Sequence, residues 1–233
     1  MTIIVPVLDE VRTLAPILDR VFALTFPKQV IVVDGGSRDG SREIVARLAH
    51  EGRILALFDP PAPGKGAAVR MAIPHAKGEV TVIQDADLEY CPEELPRVVA
   101  PVLEGAVDVC YGSRIRGADR NWFSPFYWGG RFVSLVTSLL FLRWVTDEPT
   151  CYKAFRTEHL RRIPLRGNGF EMEPELTAKV LRWGLRYGEV PIRYAPRTAA
   201  DGKKIRFQDG VIAVRVLLAL RFRRIGPAPW SSR

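Results

Sequence analysis

Apolar positions along the chain keep two alternating rhythms. Ile3-Ile4-Val5 is a short β-branched run closed by Pro6, the pattern of a buried strand. Val11, Leu14, Ile17, Leu18, Val21 and Phe22 then recur at helical spacing. Val30 to Val33 predicts a second strand, followed by the turn-rich loop Asp34-Gly35-Gly36-Ser37-Arg38-Asp39-Gly40. A helix is expected from Ser41, with Glu43 in its first turn to meet the helix dipole. Ile54 to Phe58 predicts a third strand and Gly66 to Ala76 a third helix. Val80 to Ile83 is a fourth strand, running into Asp85-Ala86-Asp87. Glu93 to Leu103 reads as a helix and Val107 to Tyr111 as a fifth strand.

These strands are continuous apolar runs separated by helices, which argues for an α/β fold with a mostly parallel sheet covered by helices on both faces. Ligands in such sheets bind beyond the carboxyl ends of the strands. Three polar clusters fall there, Asp9-Glu10, Asp34 and Asp85-Ala86-Asp87, and all three are predicted on one edge. After residue 112 the pattern changes. Arg114 to Arg131 is basic, aromatic and glycine-containing, and reads as a loop. An apolar helix is expected over Phe132 to Leu142, then an irregular region up to the strand-like Val190 to Tyr194, and a basic apolar stretch from Val211 to Arg224.

With 233 residues and 47% hydrophobic content the chain can bury a large core as one domain. Cys91, Cys110 and Cys151 are too scattered for a disulfide framework or a zinc site, so a reducing compartment is expected. No charged leader with an apolar core and cleavage site opens the sequence, which points to a cytoplasmic location. The longest apolar runs, Phe132 to Leu142 and Val211 to Leu220, fall short of the ~20 residues that cross a bilayer. The net charge of +8 admits nucleic acid, an anionic membrane or phosphorylated ligands as partners. No helix-turn-helix, zinc-finger or RNA-recognition signature accompanies it, so nucleic acid is not expected.

Gly35, Gly36 and Gly40 do not keep the G-x-G-x-x-G spacing of a dinucleotide site, and Gly64-Lys65-Gly66 lacks the rest of a P-loop. Asp85-Ala86-Asp87 carries more. Two carboxylates flanking a small residue at a strand end can aim at one point, and a hard cation such as Mg²⁺ takes one or two protein oxygens, leaving the rest to phosphates and water. Bridging a diphosphate, that ion offsets charge growing on a leaving nucleotide. The tripeptide alone also fits a solvated turn, and its context decides between the two.

That context resembles the family 2 glycosyltransferases, within them the dolichyl-phosphate mannosyltransferase-like group, over roughly residues 2 to 210. Val5-Pro6-Val7-Leu8-Asp9-Glu10 is similar to the family's (I/V)-P-x-(Y/L)-N-E, and Val32-Val33-Asp34-Gly35-Gly36-Ser37-Arg38-Asp39-Gly40-Ser41 to its V-V-D-D-G-S-x-D-G-(S/T). Gly64-Lys65-Gly66-Ala67-Ala68, Asp85-Ala86-Asp87-Leu88-Glu89 with Pro92-Glu93, Gly112-Ser113-Arg114, and Asp147 to Phe155 complete six ordered motifs. Gly35 replaces the usual second aspartate, Asp9 stands for the usual asparagine, and the family's multi-helix membrane domain has no counterpart in these residues.

The resemblance implies a GT-A fold and an inverting, metal-dependent hexosyltransferase using a nucleoside-diphosphate sugar. Residues 1–112 would form the nucleotide-sugar half, 113–210 the acceptor side and 211–233 a basic apolar helix and tail. Pro6, Leu8 and Glu10 would line the nucleoside pocket with Val32 beneath it, and Asp34 would receive base or ribose, or else cap its own loop. Asp85 and Asp87, with Glu89 added, would hold Mg²⁺ or Mn²⁺, and Ala86 would let the backbone approach. Arg197 and Lys203 resemble a basic pair on a mobile loop that closes over the donor diphosphate. A lipid-phosphate acceptor needs no strong base, only positioning and charge neutralisation, for which Arg114 and Arg131 are expected to supply cations and Ser134 a hydrogen bond. A hydroxyl acceptor would need a base, and Asp147 or Glu148 is placed for it. The arginines and aromatics of residues 114–131 favour the phosphate.

Trp122, Phe123, Phe126, Tyr127 and Trp128, with the two apolar helices, suit either a surface lying on the inner face of a membrane or ordinary packing. The expected activity is transfer from GDP-mannose or a UDP-sugar to a polyprenyl phosphate. The alternatives are a soluble glycan or phosphorylated metabolite as acceptor, and a non-catalytic nucleotide-binding subunit recruited to membranes. A sugar nucleotidyltransferase is set aside, because the expected glycine/arginine phosphate signature is missing near the first strand.

Overall fold

A computed structural model describes residues 1–117, 125–197, 206–226 and 228–230. Seven strands form one sheet: β1 (Thr2–Val7), β2 (Gln29–Asp34), β3 (Leu55–Phe58), β4 (Val80–Ile83), β5 (Val109–Ser113), β6 (Lys153–Arg156) and β7 (Tyr187–Pro191). Their spatial order is β3-β2-β1-β4-β6-β5-β7, with β6 antiparallel to both β4 and β5 and every other pairing parallel. Successive strand side chains point to opposite faces. Ile3, Ile4 and Val5 are all fully buried, so both faces of the sheet are covered at its centre. The connecting helices are α1 (Val11–Ala23), α2 (Ser41–His50), α3 (Lys65–Ala72), α4 (Leu95–Leu103), α5 (Pro125–Phe141), α6 (Thr157–Arg162), α7 (Met172–Arg182) and α8 (Phe207–Phe222).

The expected mostly parallel α/β sheet is present, and the first five strands fall where the apolar runs place them. The second half differs. β6 was not predicted: Lys153-Ala154-Phe155-Arg156 opens with a lysine, yet Lys153 is fully buried against Glu173. β7 lies upstream of the expected Val190 to Tyr194. Helices α6 and α7 occupy the stretch read as irregular. In α7 Glu173, Glu175 and Lys179 are buried, so an apolar period could not reveal it. The loop expected over Arg114 to Arg131 gives way to α5 at Pro125, a residue suited to a first helical turn. Helices α5 and α8 pack together beside α7, around Val133, Ala178, Ala213 and Leu217.

The Gly64-Lys65-Gly66 turn is set by close packing. Gly64 has φ +114, and a Cβ there would lie 2.5 Å from the Asn168 carbonyl oxygen. A Cβ on Gly66 would overlap the Gly167 carbonyl oxygen and approach Met172. Ala67 N–H donates to the Asn168 carbonyl at 2.9 Å, and Arg70 Nη2 donates to Asn168 Oδ1 at 2.6 Å. The start of α3 is thereby fixed against the loop that leads into α7. Gly66→Ala should therefore lower stability by about 1–3 kcal/mol, read as a reduced urea midpoint at unchanged slope.

Candidate functional site

Strands β1, β2 and β4 run in one direction, with Val7 paired to Asp34 and Ile4 to Ile83, so their carboxyl ends emerge on one edge. Leu8 to Glu10, Asp34-Gly35 and Asp85-Ala86-Asp87 all extend from it. There a cleft of about 1010 Å³ opens, lined on the sheet side by Pro6, Leu8, Glu10, Asp85, Ala86, Asp87 and Glu89. Its opposite wall comes from α5 and α8, including Phe126, Phe132, Val133, Phe207, Val211 and Val214. One end of the cleft is acidic and the other apolar.

Each aspartate of the D-A-D turn has its own cation. Lys65 Nζ lies 2.8 Å from Asp85 Oδ1 and 3.0 Å from Glu173 Oε1, and Lys153 Nζ holds the other Glu173 oxygen at 2.6 Å. Arg197 Nη2 lies 2.6 Å from Asp87 Oδ2, while its Nη1 reaches Glu10 at 3.2 Å. The two aspartates titrate apart. Burial disfavours charge on Asp85, but the Lys65 ammonium outweighs it and holds the carboxyl below its usual range. Burial, together with the negative charges of Asp85 and Glu89, pushes Asp87 up to about 7.

Glu10, Asp85, Asp87 and Glu89 are four carboxylates facing two cations, Lys65 and Arg197. The excess negative charge suits a divalent ion. Among the described residues no three acidic, histidine or cysteine side chains converge as a ready-made cage. Asp85 and Asp87 can supply the one or two carboxylates that a hard ion takes from protein, its shell being completed from phosphate and water, and the residues fit Mg²⁺ or Mn²⁺ in that sense.

Other sequence-predicted residues are placed differently. Glu89 lines the cleft with both oxygens engaged: its Oε1 accepts the Arg197 backbone N–H at 2.6 Å and its Oε2 the Tyr194 hydroxyl at 3.0 Å. Val32 is fully buried inside β2 and does not line the cleft, because the covered sheet centre lies on both sides of it. Asp34 is also fully buried; it accepts the Gly36 N–H at 3.2 Å, lies 3.2 Å from Arg42 Nη1, and so caps its own loop.

The arginine pair expected for an acceptor phosphate is not brought together. Arg114 lines the cleft but is held bidentately by Asp147, at 2.8 and 2.7 Å, and lies 5.0 Å from the Tyr194 ring centre. Arg131 does not line the cleft, since the phase of α5 turns Gly130 and Phe132 there instead. Ser134 is buried, donating to the Gly130 carbonyl at 2.8 Å and accepting the Glu148 N–H at 2.9 Å. Lys203 and the other residues after Arg197 in the loop expected to close over a donor lie outside the described residues, as do Trp122 and Phe123 of the aromatic stretch.

The reading of the sequence missed the counter-cation role of Lys65, although its motif was noted, and missed Glu173 altogether. It also missed Arg206 and Arg215, which line the cleft from the α8 side; charge interrupting the apolar run at Arg215 was the available signal. Glu148 is fully buried at the cleft wall. Its Oε1 accepts from Thr177 at 3.1 Å and its Oε2 has no partner. Burial, against the pull of Lys153 and with Glu173 and Asp147 adding to it, pushes its carboxyl up to about 7.

Residues 2–163 match the family model for Glycosyl transferase family 2, and the chain belongs to that family. A dolichol-phosphate mannosyltransferase of Saccharomyces cerevisiae is 29% identical over 220 residues, covering 87% of this chain and 80% of the yeast protein. An undecaprenyl-phosphate mannosyltransferase of Micrococcus luteus is 28% identical over 232 residues, covering 94% and 92%. Among solved structures, glucosyl-3-phosphoglycerate synthase from Mycobacterium tuberculosis, in complex with Mn²⁺, UDP-glucose and phosphoglyceric acid, superposes with a TM-score of 0.70 at 20% identity, covering 94% of this chain and 79% of its own. That likeness shows a shared GT-A fold, and membership of family 2 makes the chain a glycosyltransferase.

Because the folded Glu148 carboxyl titrates near 7, above the usual glutamate value, the native protein keeps a proton that the unfolded chain gives up between those two pH values. This stabilising contribution is full in acid and is lost as pH rises to about 7. Glu148→Gln should show a smaller fall in Tm between pH 5 and 8 than the unsubstituted protein; parallel Tm profiles would count against the burial of an unpaired carboxyl.

Proposed function

We propose that this glycosyltransferase moves a hexosyl unit, with inversion, from a nucleoside-diphosphate sugar to a polyprenyl phosphate at a membrane surface. The observation that carries this reading is the two-sided cleft, which joins an acidic D-A-D turn to an apolar wall of α5 and α8. The names of the yeast and Micrococcus relatives support it. Asp85 and Asp87 would hold Mg²⁺ or Mn²⁺, and the bound ion would offset the charge that develops on the departing nucleoside diphosphate. Pro6, Leu8 and Glu10 would line the nucleoside end, with Ala86 admitting the diphosphate close to the backbone. Lys65 keeps Asp85 charged and in place. A polyprenyl phosphate arrives as an anion and needs orientation more than deprotonation. Arg206 and Arg215 are better placed to receive it than Arg131, and Arg215 has no carboxylate partner among the described residues.

The same helices offer a membrane-facing surface. Trp128, Phe132, Leu135 and Leu139 of α5 are exposed, followed by Leu142 and Trp144, and α8 exposes Phe207, Val211, Leu218 and Phe222. Exposed arginines accompany them at 143, 215, 221 and 223. Among the described residues no helix is long and apolar enough to cross a membrane, so contact would lie in the interface plane. A second reading keeps the donor and exchanges the acceptor for a soluble hydroxyl compound. Glu148 is the observation in its favour, as a carboxyl at the cleft wall titrating near neutrality can take a proton.

Isothermal titration with UDP and GDP in the presence of Mn²⁺ should show one nucleotide binding, and Asp87→Ala should weaken it at least about tenfold while leaving binding in EDTA unchanged. Equal affinity in the variant would remove the metal role from Asp87. Cosedimentation with anionic vesicles should capture the protein, and Leu139→Asp with Leu142→Asp should reduce partition by at least about tenfold. Full turnover on a water-soluble hydroxyl acceptor without vesicle binding would favour the second reading.

A further inference from the structure

The two cations of the D-A-D turn are held in different ways. Lys65 sits between Asp85 and Glu173, its side chain only 11% exposed, with Glu173 in turn fixed by Lys153. Removing it would strand the buried Glu173 carboxylate and the half-buried Asp85. Arg197 is supported differently. Its backbone is pinned: Ala195 N–H donates to the Glu89 carbonyl at 2.8 Å, Tyr194 bridges to Tyr90, and Arg197 N–H donates to Glu89 Oε1 at 2.6 Å. Its guanidinium spans Asp87 and Glu10, yet Nε is buried with no hydrogen-bond partner. A planar guanidinium with a buried, unmatched N–H is incompletely satisfied by these two acids.

We propose that Arg197 is a resident counter-cation of Asp87 and Glu10, exchanging Asp87 for the diphosphate of an incoming nucleotide and so coupling metal capture to donor binding. The inference rests on the reading of the cleft as a nucleotide-sugar site. A divalent ion and a guanidinium cannot both sit on Asp87 Oδ2, since like charges at contact repel strongly in a site partly withdrawn from water. Before the nucleotide arrives, Arg197 has the better claim, because it is tethered and already in place. A diphosphate changes the balance by bringing acceptors of its own. The side chain then turns from Asp87 to phosphate oxygens, where Nε can also find a partner, and its backbone need not move from Glu89. The guanidinium fork suits phosphate as well as carboxylate. Glu10 keeps the side chain near the turn during the exchange. Metal alone should bind weakly for this reason, and nucleotide with metal should bind tightly.

The test is Mn²⁺ binding to the full chain, followed by electron paramagnetic resonance of free Mn²⁺, without nucleotide and then with the diphosphate selected by titration. Arg197→Gln should bind Mn²⁺ alone at least about tenfold more tightly than the unsubstituted protein, and Mn²⁺-nucleotide about tenfold more weakly, so that the cooperativity between the two collapses. Arg197→Lys, a point charge that cannot bridge Asp87 and Glu10 together, should fall between them. Arg197→Met replaces the Gln variant if the latter does not fold. Unchanged or weaker Mn²⁺ affinity in the neutral variants would overturn the exchange. Failure of every protein to bind either nucleotide with Mn²⁺ would instead overturn the donor-site reading, leaving the comparison with Mn²⁺ alone intact.

Discussion

The cleft is organised by the compensation of negative charge at the carboxyl edge of the sheet. Parallel β1 and β4 deliver Glu10, Asp85, Asp87 and Glu89 to one partly closed space, and carboxylates removed from water are unfavourable unless matched by cations and donors. The matching groups come from distant parts of the chain. Lys65 enters from α3, Glu173 and Lys153 anchor it from α7 and β6, and Arg197 arrives beyond β7. The packing of Gly64 and Gly66 against the residue 167–168 backbone is part of the same arrangement, because it holds α3 where Lys65 can reach both Asp85 and Glu173. The second half of the chain thus anchors Lys65 and supplies Arg197 to an edge that the first half builds.

This division explains which parts of the molecule could be read from the sequence. β1, β2 and β4 are buried on both faces, and their composition shows it: Val30 to Val33 and Val80 to Ile83 hold no charge to disguise them. The D-A-D turn was legible only through its context, since the ordered motifs around it, and not the tripeptide, set it apart from a solvated turn. β6 and α7 were opaque because their charged residues are buried through pairing: Lys153 with Glu173, and Lys179 with Glu175. A lysine inside the fold looks like a surface lysine until its partner is known. Arg131 and Val32 were misplaced by smaller geometric facts, the phase of α5 and the depth of β2, which no spacing rule resolves. Arg114 was located correctly but is already paired, and Asp147, which occupies it, lies 33 residues along the chain.

The pairing of Arg114 with Asp147 bears on chemistry as well as placement. A bidentate, largely buried pair is a poor receptor for another anion, because taking Arg114 would leave the Asp147 carboxylate, only 2% exposed, without its partner. Its fixed position instead braces the cleft floor: the Arg114 backbone N–H also donates to Asp147 at 2.8 Å, and Tyr194 lies against the guanidinium on the segment that carries Arg197. The segment that carries Arg197 is therefore positioned by the Arg114–Asp147 pair.

The position of α5 and α8 gives the last constraint. Their inward residues close the apolar side of the cleft while their outward residues, Leu135 and Leu139 on one helix and Leu218 and Phe222 on the other, face solvent. Large apolar groups exposed on two adjacent helices form a patch of the kind that soluble monomers rarely leave uncovered. The proposed acceptor, with a long apolar chain and an anionic head, would meet both demands: its head would be drawn to the positive α8 side of the cleft and its chain would stay with lipid laid over these residues. A small soluble acceptor would satisfy the cleft and leave the outer faces unexplained. The outer faces of the helices, more than the carboxylates, therefore favour the lipid phosphate.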